Sequence, residues 1–418
     1  MSRAIRAADA RAPGAPPRRP RRPLRPLRAL LGLLTLGAAA CDPVAVPLAE
    51  TMTRVAVGDR HTCALSDAGG VWCWGDGAAG QLGTGATVSE ARPRLVAGER
   101  VFIDLAAGGA HTCALADDGA AYCWGDNARG QVGAGAGAVV PAPVAVTGGI
   151  AFTALSAGWE HTCGVTAGGE SYCWGRGTEG QLGTGAQEDR SVPGPVAGGV
   201  SYESISGGGR HTCALTPDGA GWCWGANDLG QLGIGDAGAP EASPAPVAGG
   251  LVLIDVSAGW RHSCAVDAGG RPYCWGAGAT GELGTGRHYE EDVPAEVAPA
   301  AVPSPDQTYV AISAGVGYTC GLRHQGEAMC WGRGAEGQLG NGELWIYHYL
   351  PQLVLREPGR RFVHNSGPFA RVDAGATEHV CGVTVDGKVL CWGRGRHGQL
   401  GADVWLTNYP RFVSIPPL

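Results

Sequence analysis

Fourteen of the fifteen cysteines fall into seven pairs whose members are ten residues apart. Cys63 goes with Cys73, Cys113 with Cys123, Cys163 with Cys173, Cys213 with Cys223, Cys264 with Cys274, Cys320 with Cys330 and Cys381 with Cys391. A histidine stands two residues before the first member of six of them: His61, His111, His161, His211, His262 and His379, with Tyr318 in the sixth copy. Cysteine and histidine together suggest a metal site. Zinc sites, however, use short Cys-x2-Cys-type spacings and bring their ligands within about 2 Å of one ion. These pairs lack that spacing, so each reads as a disulfide. The histidines recur with the repeat and one is replaced by tyrosine, so each is expected to tie its own repeat to a neighbouring backbone group. No metal and no cofactor is expected.

Other catalytic patterns are missing. The chain has no Gly-x-Ser-x-Gly elbow, no His-Glu-x-x-His and no phosphate loop. Tyr289-Glu290-Glu291-Asp292 offers carboxylates that could act as acid and base, and His348 with Glu290 is a candidate pair, but a solvated acidic loop accounts for the run. The chain is expected not to be an enzyme.

What must position these residues is a β-hairpin. If Cys63 faces Cys73, then Ala64 faces Trp72 and Leu65 faces Val71, which leaves Asp67-Ala68-Gly69 as the loop. Such a loop wants its last residue in the left-handed conformation, where glycine costs least. Glycine holds that place in every copy: Gly69, Gly119, Gly169, Gly219, Gly270, Gly326 and Gly387. Opposed residues of a non-hydrogen-bonded antiparallel pair lie about 4.5 Å apart at Cα, and a disulfide accepts roughly 4.4–6.8 Å. Seven cross-strand disulfides are therefore predicted, one per hairpin.

The hairpin is part of a longer repeat. A Trp-Gly step recurs at Trp74, Trp124, Trp174, Trp224, Trp275, Trp331 and Trp392, at spacings of 50, 50, 50, 51, 56 and 61 residues. A period of this size marks a repeat architecture. In the second copy the strands are expected at Pro93–Val96, Phe102–Ala106, His111–Leu115 and Ala121–Trp124. Four-stranded antiparallel units joined by hairpin-length loops read as blades of a β-propeller. The fold class is all-β: a seven-bladed β-propeller of four-stranded antiparallel blades. The strand Tyr409–Ile415 is expected to complete the first blade and so close the ring. The Trp-Gly tryptophans are expected to pack between blades.

The pattern Ala-Gly-x-x-His-Thr-x-Ala-Leu followed by Trp-Gly-x-x-x-x-Gly-Gln-Leu-Gly resembles the regulator of chromosome condensation repeat. Its clearest copies are Ala107–Gly133, Ala157–Gly183 and Gly207–Gly233. The resemblance covers about Arg54 to Ile415 and implies a seven-bladed propeller. The family's eukaryotic founder is a guanine-nucleotide exchange factor on chromatin, an activity not carried over to a chain that reads as exported, acidic and bacterial. Secreted bacterial members include an inhibitor of β-lactamases, so the family's fold can serve as a plain binding scaffold.

The N-terminus supports that export reading. An Arg/Pro-rich stretch leads into the apolar run Ala29–Ala40 and then Cys41. The run has the length of a signal-peptide core and is too short to span a bilayer. Residues Leu36–Cys41 resemble a lipoprotein cleavage box, with Ala38 where leucine is usual, and Cys41 is the cysteine left over from the pairs. The expected organisation is a signal peptide at 1–40, a tether at 41–52 and the propeller at 53–418, anchored through a lipid on Cys41 at the bacterial envelope, either periplasmic or surface-exposed, or else secreted after ordinary signal cleavage that leaves Cys41 free. The whole chain carries −7 and its first 40 residues +8, which leaves −15 on the rest. A body that acidic argues against nucleic acid as partner.

Departures from the repeat point to the binding surface. Strand alternation puts the loops after Ala-Gly and after Gly-Gln-Leu-Gly on one face, the loop face, and the glycine hairpin turns on the other, the hairpin face. Non-repeating aromatics fall on the loop face: Trp159, Trp260, Tyr289, Trp345, Tyr347, Tyr349 and Trp405. Exposed aromatics amid charge are the composition of a protein-binding patch. The expected function is a monomeric, non-catalytic scaffold that binds a protein or glycan of the cell envelope on this face. A structural or adhesion role in the envelope is the alternative, with an enzyme using the channel mouth behind it.

Overall fold

The computed structural model describes residues 50–135, 137–304, 308–355, 368–375, 378–401 and 408–414. Cys41, Trp405 and residues 356–367 lie outside the described residues. Among the described residues all regular structure is strand: seven four-stranded antiparallel blades arranged as a ring.

Each blade is continuous in sequence. Blade one runs Met52–Val57, His61–Ser66, Val71–Gly75 and Glu90–Leu95, paired in that order. The first strands line a central cavity. Burial falls outward: His61–Ser66 is buried throughout, whereas Glu90–Leu95 is largely open to solvent. The core sits between blades, where the apolar residues of one sheet face meet those of the next.

The hairpin register is the predicted one. Cys63 pairs with Cys73, Ala64 with Trp72 and Leu65 with Val71. Ser66 N donates to Gly70 O at 2.9 Å, and Gly69 has φ +82°.

Every predicted cysteine pair is bonded, one in each blade. Cys63 joins Cys73 in blade one, Cys113 joins Cys123 in blade two and Cys163 joins Cys173 in blade three. Cys213 joins Cys223 in blade four and Cys264 joins Cys274 in blade five. Cys320 joins Cys330 in blade six, and Cys381 joins Cys391 in blade seven. The Cα atoms of each pair are 4.1 Å apart, slightly closer than the expected separation. The sulfurs are buried against the next blade, as where Cys63 Sγ lies 3.9 Å from Thr112 Oγ1. These cysteines are cross-strand staples inside the blades.

The grouping of strands into blades differs from the expectation. The sequence reading places Pro93–Val96 in the second blade, but Glu90–Leu95 pairs with Val71–Gly75 of the first. The second blade is instead Phe102–Ala107, His111–Ala116, Ala121–Asp126 and Val139–Ala145. Correspondingly, Asn408–Ser414 pairs with Val389–Arg394 and completes the seventh blade, not the first. The reason is the long connection between third and fourth strands. It reaches over the next blade, where Gly85 N donates to Pro141 O at 2.8 Å, and then returns to its own sheet. Sequence proximity favours the shorter link from Leu95 to Phe102, which in fact joins one blade to the next.

Ring closure therefore rests on contacts between neighbouring blades, a backbone bond from Met52 N to Gly387 O at 3.0 Å and a repeated set of side-chain bonds. At each of six seams a histidine Nε2 meets a hydroxyl of the following blade. His61 lies 2.8 Å from Thr112, and His379 lies 2.8 Å from Thr62 across the junction of blades seven and one. That hydroxyl donates to the backbone carbonyl of the glutamine, or glutamate, in the preceding Gly-Gln-Leu-Gly loop; for Thr112 the acceptor is Gln81 O at 3.0 Å. The Trp-Gly tryptophan donates to the same carbonyl, Trp124 Nε1 to Gln81 O at 2.9 Å and Trp74 Nε1 to Gln399 O at 2.8 Å. The seven tryptophans are buried at these seams, as their repetition implies.

Candidate functional site

The first strands and their outgoing loops enclose a cavity of about 670 Å³ on the propeller axis. Its wall is mixed polar and apolar, and several of its polar side chains hold blades together. The hydroxyls of Ser156, Ser206, Ser257 and Ser313 accept backbone N–H groups of Gly207, Ala258, Ala314 and Ala374 at 2.9–3.0 Å. Asp255 accepts Ile312 N and Asp373 accepts Val57 N, each at 2.7 Å. Burial pushes the Asp255 carboxyl up to about 6 and raises that of Asp373. Asp104 forms an ion pair with Arg54. These serines and carboxylates tie neighbouring first strands together.

The predicted aromatic residues separate into three groups. Trp159 and Trp260 lie at the loop-face mouth of the cavity and meet edge to face, with ring centroids 4.6 Å apart and planes at 78°. They come from blades three and five and meet across Gly209 of blade four, where an added Cβ would lie 2.6 Å from Trp260 O. Both are half-buried, spending their aromatic surface on each other. Tyr289 turns inward: it packs on the blade-five core and its hydroxyl donates to Glu296 Oε1 at 2.7 Å. Tyr349 is half-buried against His288, with centroids 5.4 Å apart.

The third group is open. Trp345 is 72% exposed and Tyr347 51%, with Ile346 and Leu350 beside them in sequence at 42% and 45%. They belong to the segment that enters and forms the outer strand of blade six, Tyr347–Leu353. Trp345 adopts φ +63°, a left-handed conformation costly for a large side chain. Nearby, His348 Nε2 is engaged by Glu343 Oε2 at 2.7 Å and Asn341 Nδ2 at 3.0 Å. On the same face Glu160 pairs with Arg176 at 2.8 Å and Arg261 with Asp292 at 2.6 Å. Among the described residues no group of three His, Cys, Asp or Glu side chains could hold a metal ion.

One set of exposed residues has no counterpart in the sequence reading. Ile103, Ile254 and Val310 each sit at a bulge near the start of a first strand and are 54%, 53% and 43% exposed. They lie toward the hairpin face, since Phe102 N is bonded to Gly69 O at 3.0 Å. A bulge shifts the alternation by one residue, so the inside–outside pattern of the strand cannot reveal it.

The comparisons agree with this architecture. The profile of the RCC1-like domain matches residues 31–301, and the regulator of chromosome condensation (RCC1) repeat matches residues 309–338 and 369–399 and, in a second version, 325–377. The Ultraviolet-B receptor UVR8 of Arabidopsis thaliana is 35% identical over 102 residues, 24% of this chain and 22% of the receptor. Protein pim1 of Schizosaccharomyces pombe is 30% identical over 174 residues, 40% of this chain and 31% of pim1. The chain thus spans less than a third of the length of each of these relatives. The solved structure of Prp20p from Saccharomyces cerevisiae, described together with its binding to Gsp1p and histones, superposes with a TM-score of 0.71 over 88% of this chain and 87% of that one at 22% identity. Human WBSCR16 superposes with a TM-score of 0.68 over 79% and 85% at 22% identity. With seven blades, one repeated seam and a matching profile over most of its length, this chain belongs to the RCC1-like domain family.

Proposed function

We propose that this chain is an exported, lipid-anchored bacterial propeller that acts without catalysis, as a scaffold holding a protein partner on its loop face, at the outer edge of blade six. The observation that carries this is the exposed run Trp345, Ile346, Tyr347 and Leu350. Trp345 is the most exposed of the large hydrophobic residues described, and it is held in a strained backbone conformation. Aromatic side chains left in water at one edge are the typical anchors of a protein interface. Strain retained at such a place is a reason to suspect function. Trp159, Trp260 and Tyr289 leave the proposed contact surface because their partners lie within the propeller.

The start of the first blade is compatible with the anchor. Thr51 enters on the hairpin face, where its carbonyl accepts Asp67 N and the neighbouring Met52 N donates to Gly387 O. Thr51 therefore lies on the face opposite the loops. Prp20p, described with its binding to Gsp1p and histones, is a precedent within the fold for protein partners.

The test uses the exported protein captured from the producing cell's envelope after mild crosslinking. A partner retained by W159A/W260A and lost from W345A/Y347A supports the site. Equal capture by both variants removes it. Mass spectrometry of Cys41 tests the anchor: a diacylglyceryl thioether supports it, and an unmodified thiol removes it.

A further inference from the structure

We propose that the blade-six patch takes a cationic polypeptide segment, one presenting arginine or lysine to the Trp345 and Tyr347 rings beside a set of carboxylates. This rests on the binding reading above and names the chemistry of the partner. The contact between His288 and Tyr349 brings the blade-five loop against the outer strand of blade six. A second link is made where Gly286 N donates to Tyr349 O at 2.8 Å. That loop continues into Glu290, Glu291 and Asp292, all exposed. From the other side Glu343, half exposed, stands two residues before Trp345.

The cations of this region are already committed. Arg287 pairs with Glu296 at 3.0 Å, and Arg261 pairs with Asp292 at 2.6 Å and Asp228 at 3.6 Å. The region therefore keeps an excess of negative charge beside open aromatic faces. A guanidinium or ammonium over an aromatic face, with a carboxylate at hand, satisfies both groups at once. A neutral or acidic surface would dehydrate the carboxylates without supplying a partner. The field of the whole body points the same way: −15 on residues 41–418, with Lys388 the sole lysine. A second copy of this chain, equally acidic, is disfavoured for the same reason.

The test is fluorescence anisotropy of labelled nona-arginine against the exported protein at 50 mM and 300 mM salt, with nona-glutamate as the opposite-charge probe. Expected is binding of nona-arginine alone, weakened at least tenfold by the higher salt. E290Q/E291Q and W345A/Y347A each weaken it at least tenfold, while D67N/D117N, on the hairpin face, leaves it unchanged. Equal weakening in all three variants would show diffuse charge attraction and overturn the proposal, as would unchanged binding in E290Q/E291Q, whose exposed isosteric changes leave the fold intact. The envelope partner separates the two readings. If it is lost from W345A/Y347A and kept by E290Q/E291Q, the docking site stands and the cationic partner falls. If both variants keep it, the docking site falls as well.

Discussion

Tyr318 and Val380 join blades six and seven by a route that the other seams do not use. Elsewhere a histidine meets a threonine or serine hydroxyl of the next blade, as His262 meets Thr319 at 2.8 Å. At this seam the histidine is Tyr318 and the hydroxyl is gone, replaced by the buried Val380. The longer phenol reaches past it, and its hydroxyl lies 2.9 Å from His379 O and 3.2 Å from Gly375 O. The two substitutions compensate each other.

Tyr318→His alone should therefore leave an imidazole facing a methyl group, at a cost of about 1–3 kcal/mol for an unpaired buried polar group. Adding Val380→Thr should recover much of that loss by rebuilding the common seam. Urea midpoints of the two single variants and the double variant measure the coupling. Strict additivity would mean that the two side chains do not act as a pair.

Stability should fall steeply with acid. Burial holds the six seam histidines well below the usual 6.5, His61 and His161 at about 4 and the other four at about 3. Each threonine or serine hydroxyl is spent on a carbonyl, so Nε2 carries the imidazole proton. The Nδ1 atoms of His61, His111, His161, His211 and His379 are buried without a partner for a second one. Below pH 6.5 the unfolded chain takes up protons that the folded ring refuses, and stability is lost as pH falls toward the folded values. The raised carboxyls of Asp255, Asp104, Asp373 and Glu282 act in the opposite direction, that of Asp255 below about pH 6, but they are fewer than the six histidines. Thermal melts from pH 7.5 to 4 should show a continuous drop. A melting temperature that rises on acidification would refute this account of the seams.

The disulfides should resist reduction while the protein is folded. All seven are buried, with none of their cysteines more than 1% exposed. A thiolate reagent therefore needs blades to open first. Dithiothreitol should release few thiols in buffer and fourteen in denaturant, as counted by a thiol-reactive dye. Replacing Cys63 and Cys73 together by alanine should cost about 2–3 kcal/mol, the loop-entropy contribution of a short closed loop.

Two glycines separate steric from backbone effects. Gly83 has φ +68°, and a Cβ there would lie 2.6 Å from Nε1 of the buried Trp124. Gly85 has φ +85° with nothing within 4 Å of its Cβ position. Gly85→Ala should cost about 1–2 kcal/mol of left-handed strain, and Gly83→Ala clearly more, because Trp124 must also move. Equal losses in chemical denaturation would show that the seam is softer than its geometry implies.

What could be read in the sequence was what the chain decides locally. Cys63 and Cys73 bracket their own turn, and Gly69 fixes its handedness, so register, disulfide and hairpin all follow from about ten residues. The blade count followed because the unit repeats seven times in register. Which four strands make one blade was not local. Trp74 and Glu90 are separated by a loop that leans on Pro141 of the next blade, and only the packing of two blades shows that this loop returns. The candidate site divides the same way. Sequence identified aromatics that break the repeat, but Trp159 and Trp260, 101 positions apart, find each other only when the ring brings blades three and five to one axis. Strand pairing across a turn is set by neighbouring residues, whereas exposure depends on what the rest of the chain brings alongside. The ring covered Tyr289 and paired Trp159 with Trp260, and it left Trp345 and Tyr347 in water.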